Sequence, residues 1–98
     1  MNEVARRLEE AAGVSFERDV DGNVVVREYA TVRDGQRVEG WYFRLDNQYH
    51  NLTNEEVSAF VSAFPMNVDG IEYHLGNVAQ SDWDDDRHWA ASVAFYAG

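Results

Sequence analysis

The sequence predicts an α+β domain, a single antiparallel sheet with helix packed on one face, in the order α-β-β-β-α-β-β. Three observations carry that expectation. Leu52 to Pro65 spells a helix with its own start and stop signals. Short runs of alternating apolar residues are separated by Asp-Gly pairs, the commonest hairpin signal. Nothing among the 98 residues reads as a linker between two cores, so residues 1–98 are expected to form one domain.

Asn2 to Ala12 is the first predicted helix. Val4, Leu8, Ala11 and Ala12 make a narrow apolar stripe, Gly13 supplies a C-terminal cap, and Glu3/Arg7 and Arg6/Glu10 are spaced for i,i+4 pairs. So thin a stripe places this helix at the domain edge. Val14 to Val20 alternates as a strand with Val14, Phe16 and Val20 on one side, turns at Asp21-Gly22, and returns as Asn23 to Arg33. A two-residue turn there would oppose Phe16 to Arg27 and mix the faces. A three-residue loop pairs Phe16 with Val26 and Arg18 with Val24, keeping apolar side chains together, and is the preferred register.

Asp34-Gly35 leads into a third strand, Gln36 to Leu45, placing Val26 opposite Phe43, Val24 opposite Leu45 and Glu28 opposite Trp41. Val24, Val26, Trp41, Phe43 and Leu45 then face the second helix. Arg27, Tyr29, Tyr42 and Arg44 form the other face, open to water or a partner. Asp46 to Asn51 is a loop. In the helix that follows, Thr53 and Glu56 make a capping box, and Leu52 and Val57 close over it as a hydrophobic staple. Val57, Phe60, Val61 and Phe64 form its buried stripe, and Pro65 stops it. Met66 to Gly70 reads as a loop. Ile71 to Leu75 is a strand with Ile71, Tyr73 and Leu75 inward, Gly76 marks a bulge or an end, and Val78 to Trp83 continues. Asp84 to Arg87 is a hairpin tip. His88 to Tyr96 returns with Trp89, Ala91, Val93 and Phe95 on one face.

Composition excludes several functions. An apolar share of 45%, with 13% aromatic, is that of a folded chain rather than an acidic tail. The absence of cysteine removes disulfides, thiolate nucleophiles and sulfur-ligated zinc. No apolar run approaches the ~20 residues of a membrane span, and the N-terminus lacks the build of a signal peptide. A cytoplasmic location is therefore expected. A net charge of −10 argues against nucleic acid or an anionic membrane as direct partner. The charge is also uneven. Met1 to Arg44 holds nine acids and seven arginines, whereas Leu45 to Asp86 holds nine acids and no base. All eight bases are arginine, a composition that a high-GC genome or a salt-adapted organism would also produce.

The densest chemistry is Ser81 to His88, SDWDDDRH. Asp82, Asp84 and Asp86 have the opening spacing of a calcium loop, but Arg87 stands where its glycine belongs and Val93 where its bidentate glutamate belongs. A divalent-cation site spanning Asp82 to His88 is therefore an alternative, and a solvated hairpin tip that protects an edge is the plain structural reading. In an extended chain, alternate carboxylates lie roughly 7 Å apart, of the order of successive phosphates along a nucleic-acid strand. With Trp83 among them, Asp82, Asp84, Asp85 and Asp86 combine an aromatic anchor with negative charge. Asp46, Glu55, Glu56, Asp69 and Glu72 are supporting acids wherever the fold gathers them, although Glu55 and Glu56 are also what a helix N-terminus favours. His50, His74 and His88 lack zinc-site spacing, and there is no nucleophile elbow, phosphate-cradling loop or lysine. Asn51-Leu52-Thr53 matches a glycosylation acceptor, but Thr53 is read as the helix cap.

These features point to a non-enzymatic interaction protein without cofactor, whose acidic residues cover a basic surface of another protein, possible self-association aside. A basic surface of that kind usually holds nucleic acid, so the chain would compete as a phosphate-backbone mimic. In size, charge and single-domain build it resembles the small acidic inhibitors encoded by bacteriophages, anti-CRISPR and anti-restriction proteins among them; no residue role is carried over from that resemblance. An accessory domain using the Arg27, Tyr29, Tyr42, Arg44 face is a further alternative.

Overall fold

A computed structural model describes residues 1–46, 52–79, 82–84, 87–89 and 91–98, with side chains described outside 80–90. The elements in chain order are α1 (Asn2–Ala12), β1 (Arg27–Arg33), β2 (Gln36–Arg44), α2 (Asn54–Ser62), β3 (Met66–Val68), β4 (Ile71–Ala79), β5 (Asp82–Asp84), β6 (Arg87–Trp89) and β7 (Ser92–Ala97). The α+β class is as predicted; the strand inventory differs. Five strands form one antiparallel sheet in the order β1-β2-β7-β4-β3, and β5-β6 is a separate ribbon.

α1 has the predicted bounds, and Gly13 caps it in the left-handed region with its N–H on the Glu9 carbonyl. The expectation that α1 lies at the edge is wrong. Val4, Ala5 and Leu8 are fully buried, because Ala5, outside the predicted stripe, lets the helix sit close on the core. Glu3 meets both Arg6 and Arg7, and Arg6 also reaches Glu10.

The first predicted strand is not a strand of the sheet. Residues 14–25 wedge between two neighbours: Phe16 bridges Leu45, and Arg18 bridges Val24 in the preferred register. Phe16 thus takes the place beside Leu45 expected of Val24. The loop between is held by the Asp19 carboxylate, which accepts from the N–H groups of Asp21 and Asn23. Val20, expected inward, is fully exposed at its tip.

β1 and β2 pair as expected, with Glu28 opposite Trp41, across Asp34 and Gly35, both at positive φ. The predicted loop Met66 to Gly70 is instead a hairpin. β3 pairs with the start of β4 across Asp69-Gly70, which repeats the same positive-φ turn. This adds the sheet's fifth strand and leaves Ile71, expected inward, 47% exposed beside that turn. The bulge predicted at Gly76 is present as a register shift between Leu75 and Asn77.

α2 carries the predicted capping box, with Thr53 Oγ1 accepting from Glu56 N–H at 3.1 Å and Glu56 Oε1 accepting from Thr53 N–H at 2.8 Å. Its C-cap is Ala63, ahead of a cis Phe64–Pro65 peptide. Phe60 is buried, whereas Val61, assigned to the same stripe, is 50% exposed; a helix this short buries only its central row. The core is aromatic: Phe43 lies 5.1 Å from Phe16 and 4.9 Å from Phe95, and Phe64 stacks on Phe95 at 6.2 Å.

Candidate functional site

Strand pairing sorts the candidate acids. β2 and β4 both run antiparallel to β7, so they run parallel to each other and finish at the same end of the sheet. Arg44 and Ala79 both pair with Ser92 there, and Asp46 follows directly, its N–H on the Ser15 carbonyl. The pairing Ala79↔Ser92 continues at the same offset into Asp82↔Trp89, Trp83↔His88 and Asp84↔Arg87. The acidic ribbon, an arm of the fold, therefore keeps the register of the β4–β7 hairpin and follows it in the chain at the end where β2 stops. α2 starts toward this end as well: Phe60 contacts Phe16, which bridges Leu45, whereas Phe64 beyond the helix reaches Phe95 in the middle of β7. Asp46, Glu55 and Glu56 are thus brought to the arm-bearing end.

Asp69 and Glu72 are not. They lie where β3 turns into β4, at the opposite end. From Glu72 to Ala79 is seven residues of strand, roughly 23 Å at about 3.3 Å each. That exceeds twice the ~8 Å Debye length at physiological salt, so these two acids cannot reinforce the arm's field. The proposed run of charge is split by topology. Within the arm, β5 makes Asp82 to Asp84 extended, the premise of the phosphate-like spacing, and the register sets Arg87 opposite Asp84. Asp85 and Asp86 lie outside the described residues, as do the side chains of Asp82, Trp83, Asp84 and His88. The cation reading of that segment falls there too. Among the described residues, no three His, Asp or Glu side chains converge as metal ligands.

Ion pairing separates the two halves of the chain further. Arg6 and Arg7 hold Glu3, Arg6 also holds Glu10, Arg18 holds Glu9, Arg27 holds Glu17, and Arg37 holds Glu39. Every one of these acids precedes Arg44. Among the described residues, Asp46, Glu55, Glu56 and Asp69 have no arginine partner, and Glu72 meets only His74, at 3.2 Å. Glu3 shows how strong the pairing is in the first half: hydrogen bonds from Arg6 and then Arg7 hold its carboxyl down to about 2.

The outer sheet face, expected to be open, is largely engaged with itself. Arg27, Tyr29, Tyr42 and Arg44 are all half-buried. Arg33 reaches from β1 across to β4, donating to the Gly76 carbonyl at 2.6 Å, and sits 5.3 Å over the Tyr96 ring. His74 stacks on the same ring at 5.5 Å. The Tyr29 ring lies where a Cβ on Gly76 would be, 2.8 Å from its Cε1. Tyr29 and Arg33 of β1 thus both reach β4 on this side of the sheet, and Gly76 is the small residue that leaves room for the Tyr29 ring. Arg27 pairs with Glu17 through Nη2, and its Nη1 is buried without a partner among the described residues.

Sequence reasoning did not single out the inner face of the β1–β2 hairpin. A groove of about 580 Å³ opens there, lined by Glu28, Ala30, Arg37, Glu39 and Trp41. The pairing of a carboxylate, Glu28, opposite an indole, Trp41, was the available signal. Compared with family models, curated proteins and solved structures, the chain matches none of them.

Proposed function

We propose that the protein is a non-enzymatic acidic interaction protein whose arm-bearing end blocks a basic, nucleic-acid-binding surface of another protein, such as a nuclease or effector complex. It would stand in there for a phosphate backbone. The observation that supports this reading is the charge compensation. Five of the nine acids before Arg44 (Glu3, Glu9, Glu10, Glu17 and Glu39) are held by the chain's own arginines, whereas among the described residues Asp46, Glu55 and Glu56, toward the end that carries the acidic hairpin, have no arginine partner. Uncompensated carboxylates of one sign raise the rate of encounter with a cationic groove and repel nucleic acid and anionic membranes. The reading makes no use of Asp69 and Glu72, which serve as its internal control.

Affinity capture from the native host, followed by competition of the captured protein against duplex DNA or RNA, tests this. The wild-type chain should displace nucleic acid, with affinity falling steeply as salt rises. Neutralising the arm and its neighbours (D84N, D85N, D86N with D46N and E55Q) should abolish displacement, while D69N with E72Q should leave it intact. A captured partner that binds no nucleic acid, or equal displacement by all variants, would sink the proposal.

A further inference from the structure

The groove on the inner face of β1–β2 lies away from the arm and does not depend on the reading above. Its geometry follows from register. Glu28 stands opposite Trp41 and Ala30 opposite Glu39, so a carboxylate, an indole and a small floor residue share one face. Trp41 is half-buried and fixed from the core side, edge-on to Tyr73 at 6.1 Å and tilted against Phe95 at 5.9 Å, while it also lines the groove. The other charges of the groove cancel: Arg37 Nε donates to Glu39 at 2.9 Å. Glu28 has no ion pair or side-chain hydrogen bond among the described residues, and the groove is left with its one negative charge.

We propose that this groove receives an arginine side chain of a partner protein, with the guanidinium between the Trp41 ring and the Glu28 carboxylate. Charge complementarity carries the choice of a cation, since an indole face and a carboxylate attract the same positive group from two directions. The groove is open to water, and that favours guanidinium over ammonium. A guanidinium is planar and weakly hydrated, so it stacks on an indole without losing its in-plane hydrogen bonds to a carboxylate, whereas an ammonium keeps its water.

The test is an NMR titration of the intact chain with N-acetyl-arginine methylamide, following the Trp41 indole N–H and the Glu28 backbone N–H. Saturable shifts at both positions are expected in the millimolar range, with N-acetyl-lysine methylamide weaker and N-acetyl-glutamate methylamide inert. Glu28→Gln should weaken arginine binding about fivefold or more. Glu28 is exposed, so this variant should fold, and unchanged shifts for the core residues Val93 and Phe95 check that it has. Absence of any shift at Trp41 at tens of millimolar, or equal binding by the Gln variant, would overturn the assignment. The D46N and E55Q changes that probe the arm-bearing end should not alter this titration, so the two proposals fail separately.

Discussion

Glu9 ties the first helix to the segment that follows it. Its carboxylate accepts from the Phe16 N–H at 2.8 Å and from Arg18 at 2.7 Å, and it is mostly covered, with 17% of the side chain exposed. A charge-assisted bond in that setting is worth more than an exposed pair, so Glu9→Ala should lower stability by about 2 kcal/mol in urea titration. A change no larger than the ~0.5 kcal/mol of a surface substitution would show that the tie is slack. Glu3 makes a different test, because its pairs are exposed and its effect is read from pH. Its folded-state pKa of about 2 lies below the ordinary 4.5, so the stabilisation is present above the unfolded value and lost as pH falls through the folded one. Glu3→Gln should therefore melt below wild type at neutral pH, with the gap closing between pH 4.5 and 2. A gap independent of pH would rule out the ion pairs as its cause. Gly40 answers to space alone: an added Cβ would meet the Phe95 backbone, which cannot move without the sheet. Gly40→Ala should cost about 2–3 kcal/mol, the range of overpacking, and a neutral result would mean that β2 and β7 lie farther apart than described.

At the scale of elements, the clearest signals were those written within a few residues. The box at Thr53 and Glu56, the cap at Gly13 and the turn at Asp34-Gly35 are all local, and each forms where its spacing places it. Thr53→Ala should cost about 1 kcal/mol, measured as a shift in the urea midpoint; no shift would mean that Leu52 and Val57 hold the helix start by themselves. Asp69-Gly70 carried the same signal as Asp34-Gly35. The strand before it, Met66–Val68, is too short to show alternation, so the sequence spells only a loop there. Residues 14–20 failed in the opposite sense. They alternate well, yet the chain spends them on bridges to Leu45 and Val24, because β1 already pairs with β2 from Gln36 to Tyr42 and leaves open on that side only the end that runs into Leu45.

For the whole molecule, charge governs the outlook. A chain at −10 whose pairing is concentrated before Arg44 repels itself at the arm-bearing end. Its melting temperature should rise between about 10 and 150 mM salt as the Debye length shrinks from ~30 to ~8 Å. The D46N and E55Q pair should raise it at low salt and flatten the dependence. A melting temperature insensitive to salt in the wild type would mean that those acids are too far apart to interact. A steep further rise at molar KCl would instead favour salt adaptation as the origin of the acidity.

The sequence by itself determined both helices, the Asp-Gly turn at residues 34–35, the pairing of Glu28 with Trp41 and the class of the fold, since each depends on spacings of two to four residues or on one turn. Only the tertiary structure decided that β7 enters the middle of the sheet between β2 and β4, and everything about the candidate sites follows from that insertion. It sends Asp69 and Glu72 to the far end from Asp46 and leaves part of the β1–β2 inner face uncovered. Local propensity cannot encode such a choice. Strand order is settled by which apolar faces, here those of Phe43, Val93 and Phe95, bury one another best across long stretches of chain.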